Sequence, residues 1–154
     1  MILTLAFAIG IIAGLRALTP VAVVCWMAHF GVLHLQGTRL SFMGSAITVG
    51  IFTLLALLEI VNDKLPNTPP RTAFPGFGAR IVTGAWSGAA MALGGGVALI
   101  GGIVAGAIGA VVGTYGGYFA RTGAVKATHL PDFVVALAED AVAILGAIFI
   151  VSRI

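Results

Sequence analysis

An all-α bundle of transmembrane helices is the fold class this sequence predicts, on three observations. Hydrophobic residues make up 60% of the 154 positions and charged residues only 8%, against about 25% charged in an ordinary soluble domain. The apolar residues fall in long runs. The first, MILTLAFAIGIIAGLRALTPVAVVCWMAHF, holds one charge, Arg16, between Met1 and Phe30, and about 20 apolar residues suffice to cross a bilayer. Finally, many of the 22 glycines recur at helical spacing.

The length gives one integral membrane domain, residues 1–154, with about five membrane segments and no separate aqueous domain. Eight basic and five acidic residues leave a net charge of +3. The basic residues are scattered through short loops, as on the cytoplasmic face of a membrane protein, and nucleic acid is not expected as a partner. Cys25 is the only cysteine, which excludes an internal disulfide. The apolar N-terminus lacks a basic n-region and runs past signal length, so it reads as a retained first span.

By length and interruption the segments are 2–29, 43–61, 80–96, 97–120 and 132–152. HFGVLHLQGTRLS links the first two as a polar turn. NDKLPNTPPRTAFPGFG carries Pro66, Pro69, Pro70 and Pro75 and reads as a loop. Residues 80–120 are too many for one span, and Gly94-Gly95-Gly96 marks the break. The piece 80–96 is then a short span or a re-entrant half-helix. ARTGAVKATHLPD makes the last loop, with Pro131 opening the final helix.

Five spans would put Lys64, Arg71, Arg80, Arg121 and Lys126 on one side and Arg39 and Arg153 on the other. The positive-inside rule then makes the N-terminus and the Pro-rich loop cytoplasmic. A re-entrant 80–96 would bring the C-terminus inside as well. A weak internal repeat pairs GLRALTPVAVVCWMA (14–28) with GARIVTGAWSGAAMA (78–92), and each copy is followed by a helix bearing acids. Duplicated architectures of this kind are common in transporters.

Gly102, Gly106, Gly109, Gly113 and Gly116 or Gly117 lie three or four residues apart, on one face of one helix. Gly10 with Gly14, and Gly84 with Gly88, repeat the spacing. Such faces allow close backbone approach, within the chain or across a homo-oligomer interface, with a dimer favoured. A glycine-lined pore is the alternative.

Arg16 lies about 20 Å into the first run if that run is one helix, at a depth where a charge costs about 3 kcal/mol or more. Glu59 and Asp63 share a helical face near the end of the second segment. Glu139 and Asp140 stand about 10 Å inside the last. These acids and Arg16 are expected to meet in the cytoplasmic half of the bundle. Arg16 against Glu59, Glu139 and Asp140 leaves a formal charge of −2, which calls for protonated acids, a bound cation or recruitment of Arg80. The residues expected to bind a solute or ion are therefore Arg16, Glu59, Asp63, Glu139, Asp140 and Arg80. The bland reading is a structural pair, such as Arg16 with Glu59, that fixes helix register. For Asp63 and Lys64 it is capping and snorkelling. Thr19-Pro20 would kink or break the first span beside Arg16.

His29, His34 and His129 show no metal-ligand spacing, and no motif calls for a cofactor. Tyr115, Tyr118 and Phe119 beside Arg121 read as an interfacial anchor. No nucleophile elbow and no phosphate-binding glycine loop is present.

GLRALTP, LEIVNDKLPNTPPR and GARIVTGAWSGA together resemble the small bacterial membrane proteins grouped as domain of unknown function 4126, over essentially the whole chain. The resemblance implies a bacterial inner-membrane protein. It places Arg16, Glu59, Asp63, Lys64, Pro66, Gly78 and Arg80 in the family's pattern, and it brings no activity with it. The sequence thus points to a membrane protein, not an enzyme, that moves a small solute or ion with proton or cation coupling. The rival is an accessory protein that packs against lipid or partner proteins. A lipid-modifying enzyme is a third, lesser reading.

Overall fold

A computed structural model describes residues 1–64, 72–128 and 131–154. Six α-helices follow one another: α1 (Ile2–Leu15), α2 (Thr19–His29), α3 (Ala46–Asn62), α4 (Gly76–Gly94), α5 (Leu99–Thr128) and α6 (Asp132–Val151). No strand occurs among the described residues. The expected positions Pro66, Pro69, Pro70, Arg71 and His129 lie outside them.

The first apolar run is not one helix. Its helix stops at Leu15, because Arg16 adopts an extended backbone (φ −138, ψ 114). A second helix starts at Thr19, with Pro20 in its first turn, where a missing N–H leaves no bond unmade. The break thus falls before Thr19-Pro20, and the proline starts a helix instead of bending one. After α2, Gly31 takes φ +75 and Val32 N–H returns to the Met27 carbonyl at 2.9 Å. This left-handed glycine turn ends the helix.

The chain then doubles back. The α2 start lies beside Glu59 near the end of α3, while His29 bonds Gly44 just before α3 begins. Leu33 touches Gly94 and Ile2 touches Gly95. Helices α1 and α2 therefore form a hairpin that enters and leaves at the same end of the bundle. At 1.5 Å per residue, α1 carries the tip about 21 Å in.

Side-chain and backbone neighbours fix the other directions. Helix α5 runs parallel to α1, with Gly101 beside Leu3 and Gly14 beside Thr114. Helix α4 runs against both, with Gly88 beside Gly102 and Gly84 beside Ala110. Helix α6 also runs against α1, since Asp140 meets Arg16 and Gly146 lies by Ile12. The residues from α4 into α5 turn at Gly96 (φ +68), with Val97 N–H bonding Ala92 at 2.9 Å. The glycine triplet is the break the sequence predicts. Helix α4 is one continuous helix of 19 residues, and the element that doubles back within the bundle is the first run. Helix α5 continues through Ala120-Arg121-Thr122 to Thr128, past the expected end at 120; Ala120, Arg121, Ala124, Lys126 and Ala127 favour a helix. The two copies of the weak repeat fold differently: 14–28 is broken and 78–92 is continuous.

Glycines seat the hairpin. A Cβ on Gly10 would stand 2.2 Å from the Gly106 carbonyl oxygen, and one on Gly113 2.1 Å from that of Ile11. Gly88, Gly102, Gly106 and Gly109 are as tightly constrained by backbone of neighbouring helices, and Gly84 somewhat less, with the Ala110 methyl at 2.7 Å and the Gly106 carbonyl oxygen at 2.8 Å. The glycine stripe is spent inside the chain, joining α1, α4 and α5. Gly117 is buried on the same face, while Gly116 meets open space.

Apolar residues line the outside of the bundle as well as its core. Eight of the eleven α2 residues are buried, yet α3 buries only Val49 and Ala56. Ile47, Ile51, Leu54, Leu58 and Val61 line the exposed side of α3. Two helices, Leu99–Ala127 and Asp132–Val151, are long and apolar enough to cross a membrane.

Candidate functional site

The hairpin ends at Arg16, Ala17 and Leu18, and the chain's carboxylates gather around this tip. Breaking a helix frees backbone donors that must find acceptors. Glu59, in the last turn of α3, supplies both: Oε1 accepts from Ala17 N–H at 2.7 Å and Oε2 from Leu18 N–H at 2.8 Å. The Arg16–Glu59 pair that the structural reading offered as its example does not form. Glu59 holds the backbone of the tip and leaves the guanidinium to other acids.

Arg16 is fully buried, 0% exposed. Its Nη1 lies 2.7 Å from Asp63 Oδ2 and its Nη2 2.6 Å from Asp140 Oδ1. Neither contact is aligned as a hydrogen bond, so attraction between opposite charges holds them. Asp63 follows directly on α3, and Asp140 sits in the third turn of α6. The guanidinium thus joins the hairpin tip to two other helices.

A second tier of cations completes the network. Lys64 Nζ reaches Asp140 Oδ2 at 2.7 Å and the Ile60 carbonyl at 3.2 Å. Arg121 Nη1 donates to Asp63 Oδ2 at 3.1 Å and lies 3.6 Å from Glu139 Oε2. The rest of its fork grips Asp132, with Nε 2.9 Å from Oδ1, the paired geometry that makes arginine–carboxylate contacts strong. All five acids of the chain, Glu59, Asp63, Asp132, Glu139 and Asp140, belong to this one assembly. Burial alone would raise the Asp63 carboxyl. The charge of Arg16 and the hydrogen bond from Arg121 outweigh it and hold that carboxyl below its ordinary value.

Arg80 is buried on α4. Because α1 and α4 run antiparallel with Ala13 beside Gly84, it occupies the same end of the bundle as Arg16. The sequence singled out Arg16, Glu59, Asp63, Glu139, Asp140 and Arg80. The structure brings Arg16, Asp63 and Asp140 into direct contact, sets Glu59 on the tip and turns Glu139 toward Arg121. Lys64 and Asp63 do more than cap a helix. Lys64, Arg121 and Asp132 are the participants absent from the expected set: Lys64 reads as snorkelling and Arg121 as part of an interfacial anchor, and Asp132 carries no signal beyond its place at the end of the last loop. No group of three or more potential metal ligands occurs among the described residues.

The family model for a domain of unknown function, DUF4126, matches residues 3–152, nearly the whole chain. The chain belongs to the DUF4126 family. No curated protein and no solved structure matches it. In this DUF4126 chain, the three segments that carry the resemblance converge on one place: GLRALTP forms the hairpin tip, LEIVNDK supplies Glu59, Asp63 and Lys64, and GARIVTGAWSGA brings Arg80 and the glycines that seat α4 against α1 and α5.

Proposed function

We propose that this DUF4126 protein is an integral membrane protein that moves a small solute or ion past the tip of its re-entrant hairpin. One observation carries this reading: a fully buried arginine stands at a helix break, in contact with two carboxylates, inside a bundle whose outer faces are apolar. A broken helix at membrane depth is tolerated where it is buried in protein or lines water, and ionisable groups held there mark solute, ion and proton pathways. Transporter sites are typically built from discontinuous helices near the bilayer midplane. The exposed apolar residues of α3, α5 and α6, from Ile47 and Ile108 to Leu145, support lipid as the surroundings.

The orientation follows from the hairpin. The end bearing Lys64, Arg121 and Lys126 faces the cytoplasm by the positive-inside rule. The N-terminus lies at the other end, with Arg39 and Arg153, so the reading of a cytoplasmic N-terminus gives way once the first run no longer crosses. A bacterial cytoplasmic membrane is the setting we propose. Carboxylates alternating with cations along one path suit a coupling proton or cation.

A second reading, an accessory protein in which the network only locks the helices, is favoured by the pairing of Arg16 on both sides. Reconstitution separates the two. Proteoliposomes holding the wild type should pass at least one of a panel of ions and small solutes, and Asp140→Asn should change that flux about tenfold. Flux equal to empty vesicles for every solute, with Asp140→Asn altering only stability, establishes the accessory role.

A further inference from the structure

The carboxylate of Glu59 sits where a free anion would sit. Helix α2 begins at the tip, and the N–H groups of Ala17 and Leu18 precede its first turn, at the end of a helix that carries partial positive charge. Two more donors stand among the same few residues without acceptors. The Thr19 hydroxyl, in the first residue of α2 and 3% exposed, has no hydrogen-bond partner, and neither has Arg16 Nε on a residue with no exposure. Buried donors left unmatched are costly, and their neighbourhood is one that favours an acceptor with negative charge. Glu59 satisfies only the backbone pair.

We propose that the hairpin tip is a site for a small monovalent anion, a halide or short carboxylate, with Glu59 as its tethered resident. An arriving anion displaces the Glu59 side chain from Ala17 and Leu18 N–H and takes up the Thr19 hydroxyl and Arg16 Nε as further donors. Glu59 then competes with the anion and sets when the tip is open. This inference rests on the transport reading for its physiological meaning, but the binding itself does not.

The test uses the purified full chain in detergent, at constant ionic strength, with acetate or chloride exchanged for a bulky organic sulfonate. In Glu59→Ala, acetate or chloride should raise Tm by about 3 °C or more, as a ligand confined to the folded state does. The wild type, with its resident carboxylate in place, should move far less, and Thr19→Val added to Glu59→Ala should reduce the gain. Should Glu59→Ala fail to fold, Glu59→Gln keeps the side-chain volume and one acceptor oxygen, and a smaller anion-dependent rise is expected there. No rise in whichever variant folds, or an equal rise with the sulfonate, overturns the anion site. Anion binding without flux in vesicles overturns the transport reading alone, and flux without anion binding overturns only this proposal.

Discussion

Asp140 binds two cations from different parts of the chain at once, Arg16 at 2.6 Å through Oδ1 and Lys64 at 2.7 Å through Oδ2. This carboxylate thus links α6 by charge to the hairpin tip and to the residues that follow α3. Removing one member of a buried charge pair strands its partner, at a cost of about 3–5 kcal/mol. Asp140→Ala should therefore lower stability by that order in detergent, read by thermal unfolding. Asp132→Ala, which removes a carboxylate whose side chain is 62% exposed, should cost about 1 kcal/mol or less. Equal losses would contradict the ranking.

The glycine seam makes a sharper prediction. A methyl on Gly106 would stand 2.1 Å from the Gly84 carbonyl oxygen, while one on Gly116 would meet nothing within 4 Å. Overpacking typically costs about 1–3 kcal/mol, and here the obstacle is backbone that has no rotamer to yield. Gly106→Ala should lose at least that much, whereas Gly116→Ala should be neutral or slightly stabilising, since alanine favours the helix. Thermal unfolding of the two single variants checks the contrast.

Acid should weaken the link between α3 and the tip. Asp63 keeps its charge more readily in the fold than in the unfolded chain. The stability it contributes is complete above the ordinary carboxylate range and is lost as pH falls through its lowered folded value. Asp63→Asn should show a flatter stability profile than the wild type over that acidic window. Identical profiles would remove Asp63 from the account.

How much of this was readable beforehand differs by element. The glycine triplet announced the α4–α5 turn, and the spacing of Gly102, Gly106, Gly109 and Gly113 announced a close-packed face. The meeting of Arg16 with the acids was also legible, because an apolar chain offers a charge few other partners. Whether the seam lay within one chain or between two was not, since the same spacing serves both. The hairpin was hidden for a related reason: 2–29 has the length and hydropathy of one span, and only the extended backbone at Arg16 reverses it. Glu59 misled in kind. A carboxylate at the right depth suggested an arginine partner, whereas a helix break creates donors of its own that no side-chain inventory counts.

The topology of the first run bears most weight, because it decides where Arg16 and Glu59 meet. Single cysteines placed at Thr4, Thr38 and Lys126 in a Cys25→Ser background, labelled in sealed vesicles of one orientation by an impermeant maleimide, test it directly. The hairpin predicts that positions 4 and 38 react from the same side and position 126 from the opposite side. Reaction of positions 4 and 38 from opposite sides would mean that the first run crosses the membrane, and the buried tip would not exist.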